Sequence, residues 1–371
     1  MWIFIRNNGS WVQQGPKLVG TGRVGAGRQG YSVDINADGN TIIVGAHRDN
    51  SGTGAAWIFT RTNGIWSQQG SKLVGSGFTS NPFQGTDVAI SADGNTAVIS
   101  GPWDDYSRGR FWVFTRDNGG WSQQGPELQG SGASSYAQQG QSLDISSDGN
   151  TILVGGWADG YEGAAWIFTR SGNTWSQQGP KLVGSGSVGS ARQGFSTALS
   201  ADGNTAAIGG WGDNNGIGAV WFFVRNNSVW TQQGTKIVGS GYVGTGYQGT
   251  SLSLSADGNI AMLGAERDLV DLGASWLFRR ENGNWTQIGS KLIGTGFEGS
   301  SYQGISLQLS SDGSTAIVGG SNDNSSKGAA WIFSHVELPK IISFSPTQAA
   351  IGDTISISGE YLTSINSVSL G

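Results

Sequence analysis

The sequence has no cysteine and only two histidines in 371 residues. Without cysteine there are no disulfides, no thiolate metal sites and no cysteine nucleophile. Charged residues make up only 13% of the chain and the net charge is -5, with no basic run of the kind that follows nucleic-acid phosphates. No apolar run approaches the length of a membrane span. Nucleic-acid binding and membrane insertion are therefore not expected.

The shortage of histidine also limits catalysis, because a Ser-His-Asp arrangement could use only His47 or His335. His47 falls in a predicted loop, where a single histidine is usually solvated, and His335 falls in a predicted linker. Glu266 could form a carboxylate pair with an aspartate. Since the sequence places no second carboxylate beside it, the residues predict no enzyme.

Glycine is abundant, at 64 residues, and it belongs to a repeat of 55 residues with one slip to 54. Three motifs mark each copy: an Asp-Gly pair in "SADGNT", a Trp-x-Phe triplet, and a second tryptophan in "WSQQG". The Asp-Gly pair begins at Asp38, Asp93, Asp148, Asp202, Asp257 and Asp312. A period of this length indicates a propeller, a solenoid or an array.

Each copy contains four short β-strand patterns separated by Gly- and Asn-rich turns, and none has a helical period. In the first full copy they are "GYSVDIN", "TIIVGA", "GAAWIFT" and "IWSQQGSKLV", which we name strands A, B, C and D. Four antiparallel strands repeated head to tail are the plan of a β-propeller blade. The sequence therefore predicts an all-β propeller.

The strand count predicts how the ring closes. The chain begins with strands C and D, continues with five full copies, and ends its repeats with A, B and C. We expect six blades, in which the N-terminal strand D completes the last blade. The alternative is seven blades in a longer protein, because residues 1–20 resemble the middle of a repeat and not a signal peptide.

The stretch "QGYSVDINADGNTIIVGAHRDNSGTGAAWIF" resembles an FG-GAP repeat, the blade type of integrin-α-like propellers, and the resemblance covers residues 1–335. After a linker at 336–340, residues 341–371 resemble the start of an IPT/TIG domain, an immunoglobulin-like sandwich that needs about 100 residues when complete. These resemblances imply an extracellular or cell-envelope protein with a role in adhesion or ligand binding.

Calcium is the one cofactor that such propellers suggest. Asp34, Asn36 and Asp38 match the start of a calcium loop, but no closing acid follows them. Other copies replace the first aspartate with alanine, serine or glutamine, and only Asp144 retains it. We expect no cofactor, with calcium at these three residues as the minor alternative. A further aspartate recurs in every B–C loop, beginning with Asp49, and is expected to hold that loop through backbone N–H groups.

Variation among the copies is confined to two loops. The A–B and C–D turns are nearly constant, whereas the B–C and D–A loops differ from copy to copy. In a blade of alternating strands both variable loops lie at the same end. Of the 16 tryptophans, 13 occupy the two repeat positions; the others are Trp103, Trp157 and Trp211, all in B–C loops of consecutive copies.

A variable face on a constant frame is typical of a binding surface, and aromatic residues with arginine are typical of its anchors. The leading hypothesis is therefore a monomeric, non-enzymatic surface protein that binds a protein or a glycan. Its predicted binding residues are Trp103, Trp157, Trp211, Arg48, Tyr106, Tyr161 and Arg267. The alternatives are a carbohydrate-active enzyme with its site at the central mouth of this face, and a structural spacer.

Overall fold

The computed structural model describes residues 1–334, 340–345 and 356–360. They form an all-β propeller of six blades, which confirms the predicted fold class. The first five blades have four antiparallel strands each, in the chain order A, B, C, D. The sixth has three described strands.

The strands of the first three blades are β3 (Val33–Ile35), β4 (Thr41–Gly45), β5 (Ala56–Thr62) and β6 (Ile65–Gln68); β7 (Val88–Ile90), β8 (Thr96–Gly101), β9 (Arg110–Asp117) and β10 (Gly120–Gln123); β11 (Ser142–Ile145), β12 (Thr151–Gly156), β13 (Ala164–Ser171) and β14 (Thr174–Gln177). The other three blades contain β15 (Ser196–Leu199), β16 (Thr205–Gly210), β17 (Ala219–Asn226) and β18 (Val229–Gln232); β19 (Ser251–Leu254), β20 (Ile260–Ala265), β21 (Ala274–Glu281) and β22 (Asn284–Leu292); β23 (Gln303–Leu309), β24 (Thr315–Gly320) and β25 (Ala329–Ser334).

A two-stranded hairpin of β1 (Phe4–Asn7) and β2 (Ser10–Gln13) precedes the first blade, and β26 (Lys340–Ser345) pairs with β27 (Ser356–Glu360) after the last. Among the described residues, short helical turns occur in five of the B–C loops: Asp49–Gly52, Asp104–Ser107, Asp213–Gly216, Asp268–Asp271 and Asp323–Ser326. None of the helices in the described ranges is long and apolar enough to cross a membrane.

Each blade packs on the next through a tryptophan in strand C. Trp166 of the third blade is fully buried, and its Nε1 donates a hydrogen bond to the Ser131 carbonyl at 2.9 Å. A Cβ at Gly130 would lie 2.3 Å from Cδ1 of this ring, so only glycine allows the close approach. The same tryptophan–glycine contact recurs in the other blades, which explains part of the high glycine content.

A second tryptophan, in strand D, links neighbouring blades through a glutamine. Trp175 of the third blade donates from Nε1 to Oε1 of Gln124 in the second blade at 2.9 Å. Arg170 of the third blade also donates to Gln124, at 3.4 Å. The "WSQQG" motif therefore supplies both the donor for one interface and the acceptor for the next.

The N-terminal strands do not close the ring as predicted. β2 pairs with β1, and the only described partner of β25 is β24. The hairpin packs on the first blade instead, because Gln14 accepts hydrogen bonds from Trp66 and Arg61, as the equivalent glutamines do elsewhere. Ile317 of the sixth blade consequently remains 44% exposed, whereas the equivalent Met262 is fully buried.

The predicted linker at 336–340 and IPT/TIG segment at 341–371 lie largely outside the described residues. Within the described part, β26 and β27 form an antiparallel pair. The domain boundaries therefore stay a prediction.

The inner strands A of neighbouring blades contact one another around the central channel. Two half-buried carboxylates, Asp34 and Asp144, lie on these strands, and a third, Asp87, immediately precedes β7. Asp34 accepts backbone N–H groups from Ile35 in its own strand and from Ile90 in the next blade, both at 2.8 Å. Burial raises the pKa of Asp34 to about 6, and burial with repulsion from the neighbouring carboxylates raises the pKa of Asp87 and Asp144 to about 7.

We expect the free energy of unfolding to fall as the pH rises from about 5 to about 8. The three carboxyls bind more protons in the native state than in the unfolded state, between the ordinary pKa of 3.8 and the raised values. Burial lowers the pKa of His47 to about 4, and this shift alone would make the free energy of unfolding rise with pH below 6.5. The three carboxyls act in the opposite direction and outnumber it, so the net change is a fall. Urea unfolding at the two pH values measures the slope.

The repeat supplies a control for this prediction. Ser253 occupies the Asp34 position in the fifth blade and accepts the Leu309 N–H at 3.0 Å. Replacing Asp34, Asp87 and Asp144 together with serine should keep the fold and remove most of the slope. An unchanged slope in this triple variant would show that other groups cause it.

Candidate functional site

The B–C and D–A loops form one face of the propeller, which we call the upper face. The recurrent B–C aspartate accepts a backbone N–H group as predicted, but the N–H belongs to the D–A loop and not to its own loop: Asp49 accepts the Val24 N–H at 2.7 Å and forms an ion pair with Lys72. Equivalent aspartates in the other five blades accept N–H groups in the same way. The upper face is therefore a rigid frame with variable side chains.

Strand A begins and strand B ends at the upper face, beside the channel, so the residues there follow one another around its opening from the first blade to the sixth. We define the mouth ring by three repeat positions: the residue after strand B or one beyond it, the residue before the conserved Gln-Gly pair, and the residue after that pair. Its members are His47, Pro102, Trp157, Trp211, Glu266 and Ser321; Arg28, Phe83, Gln138, Arg192, Tyr247 and Tyr302; and Tyr31, Thr86, Gln141, Phe195, Thr250 and Ile305.

The backbone of the mouth ring is strained at one position in every blade. The six residues before the Gln-Gly pair all have φ between 53° and 62°, although none is glycine. This conformation costs about 1 kcal/mol or more for a residue with a side chain, and such residues concentrate at functional sites.

Aromatic side chains cover much of the ring. The Trp157 and Trp211 rings are 6.5 Å apart, and Phe195 lies 6.1 Å from each. Tyr247 continues the cluster at 5.0 Å from Trp211, and the Arg192 guanidinium lies over Trp157 at 5.2 Å. This cluster spans the third to fifth blades and presents flat apolar surface next to polar groups.

Three polar atoms of the mouth ring are buried without a hydrogen-bond partner among the described residues: His47 Nδ1, Trp211 Nε1 and Glu266 Oε2. All three belong to the residue that follows strand B. An unsatisfied buried donor or acceptor costs about 1–3 kcal/mol. All three share one repeat position on the upper face.

The two titratable members of this set have shifted pKa values. Burial, with smaller contributions from Arg48 and Arg28, lowers the pKa of His47 to about 4, so its imidazole is neutral at pH 7. Burial raises the pKa of Glu266, and a hydrogen bond from Thr250 partly opposes this. Shifted values of this kind concentrate where side chains take part in proton transfer.

The structure brings only some of the sequence-predicted binding residues together. Trp157 and Trp211 are neighbours, but Trp103 lies 6.1 Å from Phe83 and is 47% exposed. Tyr106 and Tyr161 project into solvent, with 85% and 77% exposure.

The two predicted arginines lie at the edge of the mouth ring. Arg267 stacks over Tyr247 at 5.9 Å and pairs with Asp271 at 3.1 Å. Arg48 lies beside His47 and affects its pKa.

The expectation that His47 is solvated is wrong. Its side chain is 8% exposed and packs on Tyr31 with ring centroids 4.0 Å apart. Sequence analysis also passed over Phe195, which connects Trp157 to Trp211. The pattern that could have revealed both is their fixed position: one follows strand B and the other follows the Gln-Gly pair.

The oxygens of the candidate calcium loop are engaged by the turn itself. Asn36 Oδ1 accepts the N–H groups of Asn40 and Thr41, and Asp38 Oδ1 also accepts that of Asn40. Within the described ranges no group of three or more His, Asp or Glu side chains is arranged to hold a metal ion. The donor set therefore fits a hydrogen-bonded turn better than a calcium site, and the expectation of no cofactor stays a prediction.

Solved structures share the fold. A protein of Bacteroides uniformis named as a 6-phosphogluconolactonase is 16% identical with a TM-score of 0.58, over 90% of this chain and 91% of that one. The periplasmic gluconolactonase of Pseudomonas aeruginosa is 16% identical with a TM-score of 0.56, over 90% and 87%. A functionally unknown protein of Desulfotomaculum acetoxidans is 14% identical with a TM-score of 0.56, over 81% of each chain.

No family model and no curated protein sequence matches the chain. The comparisons therefore do not show membership of the FG-GAP or IPT/TIG families, and they support the propeller fold alone.

These neighbours correct the leading functional hypothesis of a non-enzymatic protein that binds proteins or glycans. Two of them carry the names of lactonases, and they favour the alternative of an enzyme with its site at the central mouth. Identities of 14% and 16% show the fold alone, so an activity for this chain has to be argued from its own residues.

Proposed function

We propose that the chain is a hydrolase of sugar lactones and that the mouth ring is its active site. The observation that carries the proposal is the set of unpartnered buried atoms, His47 Nδ1, Trp211 Nε1 and Glu266 Oε2, at one repeat position around the channel opening. The names of the two lactonase neighbours support it.

The aromatic cluster suits a sugar ring. Trp157 and Phe195 offer apolar faces on which the C–H groups of a sugar pack, while the ring's hydroxyls reach the polar groups beside them. Gln138 accepts the Nε1–H of Trp157 at 2.7 Å and fixes the plane of the indole. The cluster therefore holds the substrate in one orientation.

Hydrolysis requires a base, an oxyanion donor and a water. In the proposed step the Glu266 carboxylate takes a proton from water as the water oxygen attacks the lactone carbonyl carbon. The Trp211 Nε1–H stabilises the negative charge that develops on the carbonyl oxygen. The bond between the carbonyl carbon and the ring oxygen then breaks, the ring oxygen receives the proton from Glu266, and the product is a hydroxy acid.

A glycosidase is the other carbohydrate-active enzyme to consider, and the mouth ring does not favour it. Glycosidases use two carboxyl groups about 5–9.5 Å apart. Glu266 is the only carboxylate among the eighteen residues of the mouth ring. One base with a neutral donor is sufficient for ester hydrolysis, so the composition of the ring favours a lactone.

The proposal includes a location in the cell envelope and a monomeric state. The envelope location agrees with the name of the periplasmic neighbour.

The test is the hydrolysis of gluconolactone, measured by acid release above the spontaneous rate. We expect Trp211→Phe to lower kcat about a hundredfold, because it removes one oxyanion donor and retains the aromatic packing. Trp103→Phe is the matched control, since Trp103 lies outside the mouth ring and should leave kcat unchanged. No hydrolysis above background by the parent protein, or equal losses in both variants, would contradict the proposed function.

A further inference from the structure

On the upper face, a backbone hydrogen bond joins the B–C loop of each blade to the D–A loop that precedes the blade. This bond places one residue of each loop next to the other. In the first blade the Arg48 N–H donates to the Gly27 carbonyl at 3.2 Å, which brings Arg48 beside Arg28. The equivalent bond recurs in every blade. The side-chain pairs it creates are Arg28 with Arg48, Phe83 with Trp103, Gln138 with Ala158, Arg192 with Gly212, Tyr247 with Arg267, and Tyr302 with Asn322.

In two of the pairs that contain an aromatic residue, the side chains lie close to each other. Phe83 lies 6.1 Å from Trp103, and the Arg267 guanidinium lies over Tyr247 at 5.9 Å. The first blade is the exception, because it places two guanidinium groups at positions that adjoin in the other blades. Like charges at such positions repel each other, and only an anion between them reverses the sign of the interaction.

No described carboxylate pairs with either Arg28 or Arg48. Two other upper-face arginines have acidic partners: Arg108 pairs with Asp105, and Arg267 pairs with Asp271. Asp49, the acid adjacent in sequence to Arg48, is already engaged by the Lys72 ammonium and the Val24 N–H.

A cavity of about 310 Å³ adjoins this pair and continues its positive charge. Lys17, Arg23 and Arg28 line it, and no acidic residue does. Arg28 and Arg48 both act on His47, whose buried Nδ1 lacks a partner. In a chain with a net charge of -5, this concentration of unpaired positive charge is local to the first blade.

We propose that Arg28, Arg48 and His47 form a subsite for an anionic group of the substrate, a phosphate or a carboxylate, so that the substrate is an acidic sugar lactone. This inference rests on the proposed function and adds the substrate class. Two planar guanidinium groups suit the oxygens of either anion, which accept paired N–H bonds. His47 supplies a neutral ring nitrogen for a further hydrogen bond, and Glu266 performs the chemistry elsewhere on the ring.

The test variant transfers the third blade's pair to the first blade. Arg28→Gln with Arg48→Ala reproduces Gln138 and Ala158, and Gln138 adopts φ of 53° at the same strained position where Arg28 has 55°. The fold should therefore survive. Arg108→Gln, which removes an exposed arginine of the second blade's outer loop, is the control.

Three lactones separate the possible sources of charge: 6-phosphogluconolactone with a phosphate, glucarolactone with a carboxylate, and neutral gluconolactone. We expect the parent to prefer one acidic lactone in kcat/KM by at least about tenfold, since a charge-assisted pair is worth that much. The preferred lactone identifies the anion. The double variant should lose the preference for the acidic lactone, and the Arg108 variant should keep it.

Equal use of all three lactones by the parent, or a preference that persists in the double variant, would overturn the inference and leave the proposed function intact. If no lactone is hydrolysed, the proposed function fails, and titration with inorganic phosphate still decides the subsite. Binding to the parent and to the Arg108 variant, with loss in the double variant, supports it; no binding to the parent overturns it.

Discussion

Replacing Trp166 with alanine should lower the free energy of unfolding by about 3–5 kcal/mol, the range for deleting a large buried aromatic side chain. The ring is fully buried between the second and third blades, and its Nε1 donates to the Ser131 carbonyl. The ring packs directly on Gly130, where a Cβ would lie 2.3 Å from Cδ1 of the tryptophan. Urea unfolding followed by intrinsic fluorescence measures the change.

The chain contains its own control for this prediction. Trp2 occupies the same repeat position in the N-terminal hairpin but is 56% exposed. Trp2→Ala should therefore change the free energy of unfolding by no more than about 0.5 kcal/mol. Similar losses in the two variants would mean that the blade tryptophans stabilise the fold through something other than burial between blades.

Glu266→Gln should reduce kcat for lactone hydrolysis by about a hundredfold to ten-thousandfold, which is the usual contribution of a general base. Glutamine keeps the shape of the side chain and removes its ability to take a proton. The pH dependence of kcat in the parent protein should also report the protonation of Glu266. Because burial raises the pKa of Glu266 above 4.5, activity should fall as the pH drops through a value above 4.5, where the carboxylate is protonated.

The melting temperature distinguishes loss of the catalytic base from damage to the fold. At pH 7 a charged Glu266 is held in surroundings that favour its neutral form, so Glu266→Gln should leave the melting temperature unchanged or raise it. Glu162→Gln, at an exposed loop position, should retain full activity. A large loss of melting temperature in Glu266→Gln, or wild-type turnover, would argue against its role as the base.

The fold followed from the sequence because each blade repeats the same local instructions. The Asp-Gly turn, the strand C tryptophan and "WSQQG" recur at nearly constant spacing, so the strand order within each blade required no tertiary information. The closure of the ring did not follow, because it depends on whether Gln14 bonds to the first blade or β2 pairs with β25. Both arrangements fit the same strand pattern, and only the packing distinguishes them.

The candidate site was less accessible to sequence analysis. Loop variability directed attention to the upper face and to Trp157 and Trp211, but the prediction of binding without catalysis is corrected by the lactonase neighbours. His47 and Glu266 are each found in one copy of the repeat, in loops, and their importance comes from burial without a described partner. The pairing of Arg28 with Arg48 depends on a backbone bond between loops twenty residues apart, which no local pattern reveals.

The glutamine–tryptophan link between blades, such as Gln124 with Trp175, makes the propeller a linear series of units coupled only to their nearest neighbours. In such a series a mutation that destabilises one blade uncouples the blades on either side of it. A defect in the third blade separates two short runs, each with a new free end, whereas one in the sixth blade only shortens the series. The position of a mutation along the sequence should thus determine how many blades unfold together, independently of the residue lost.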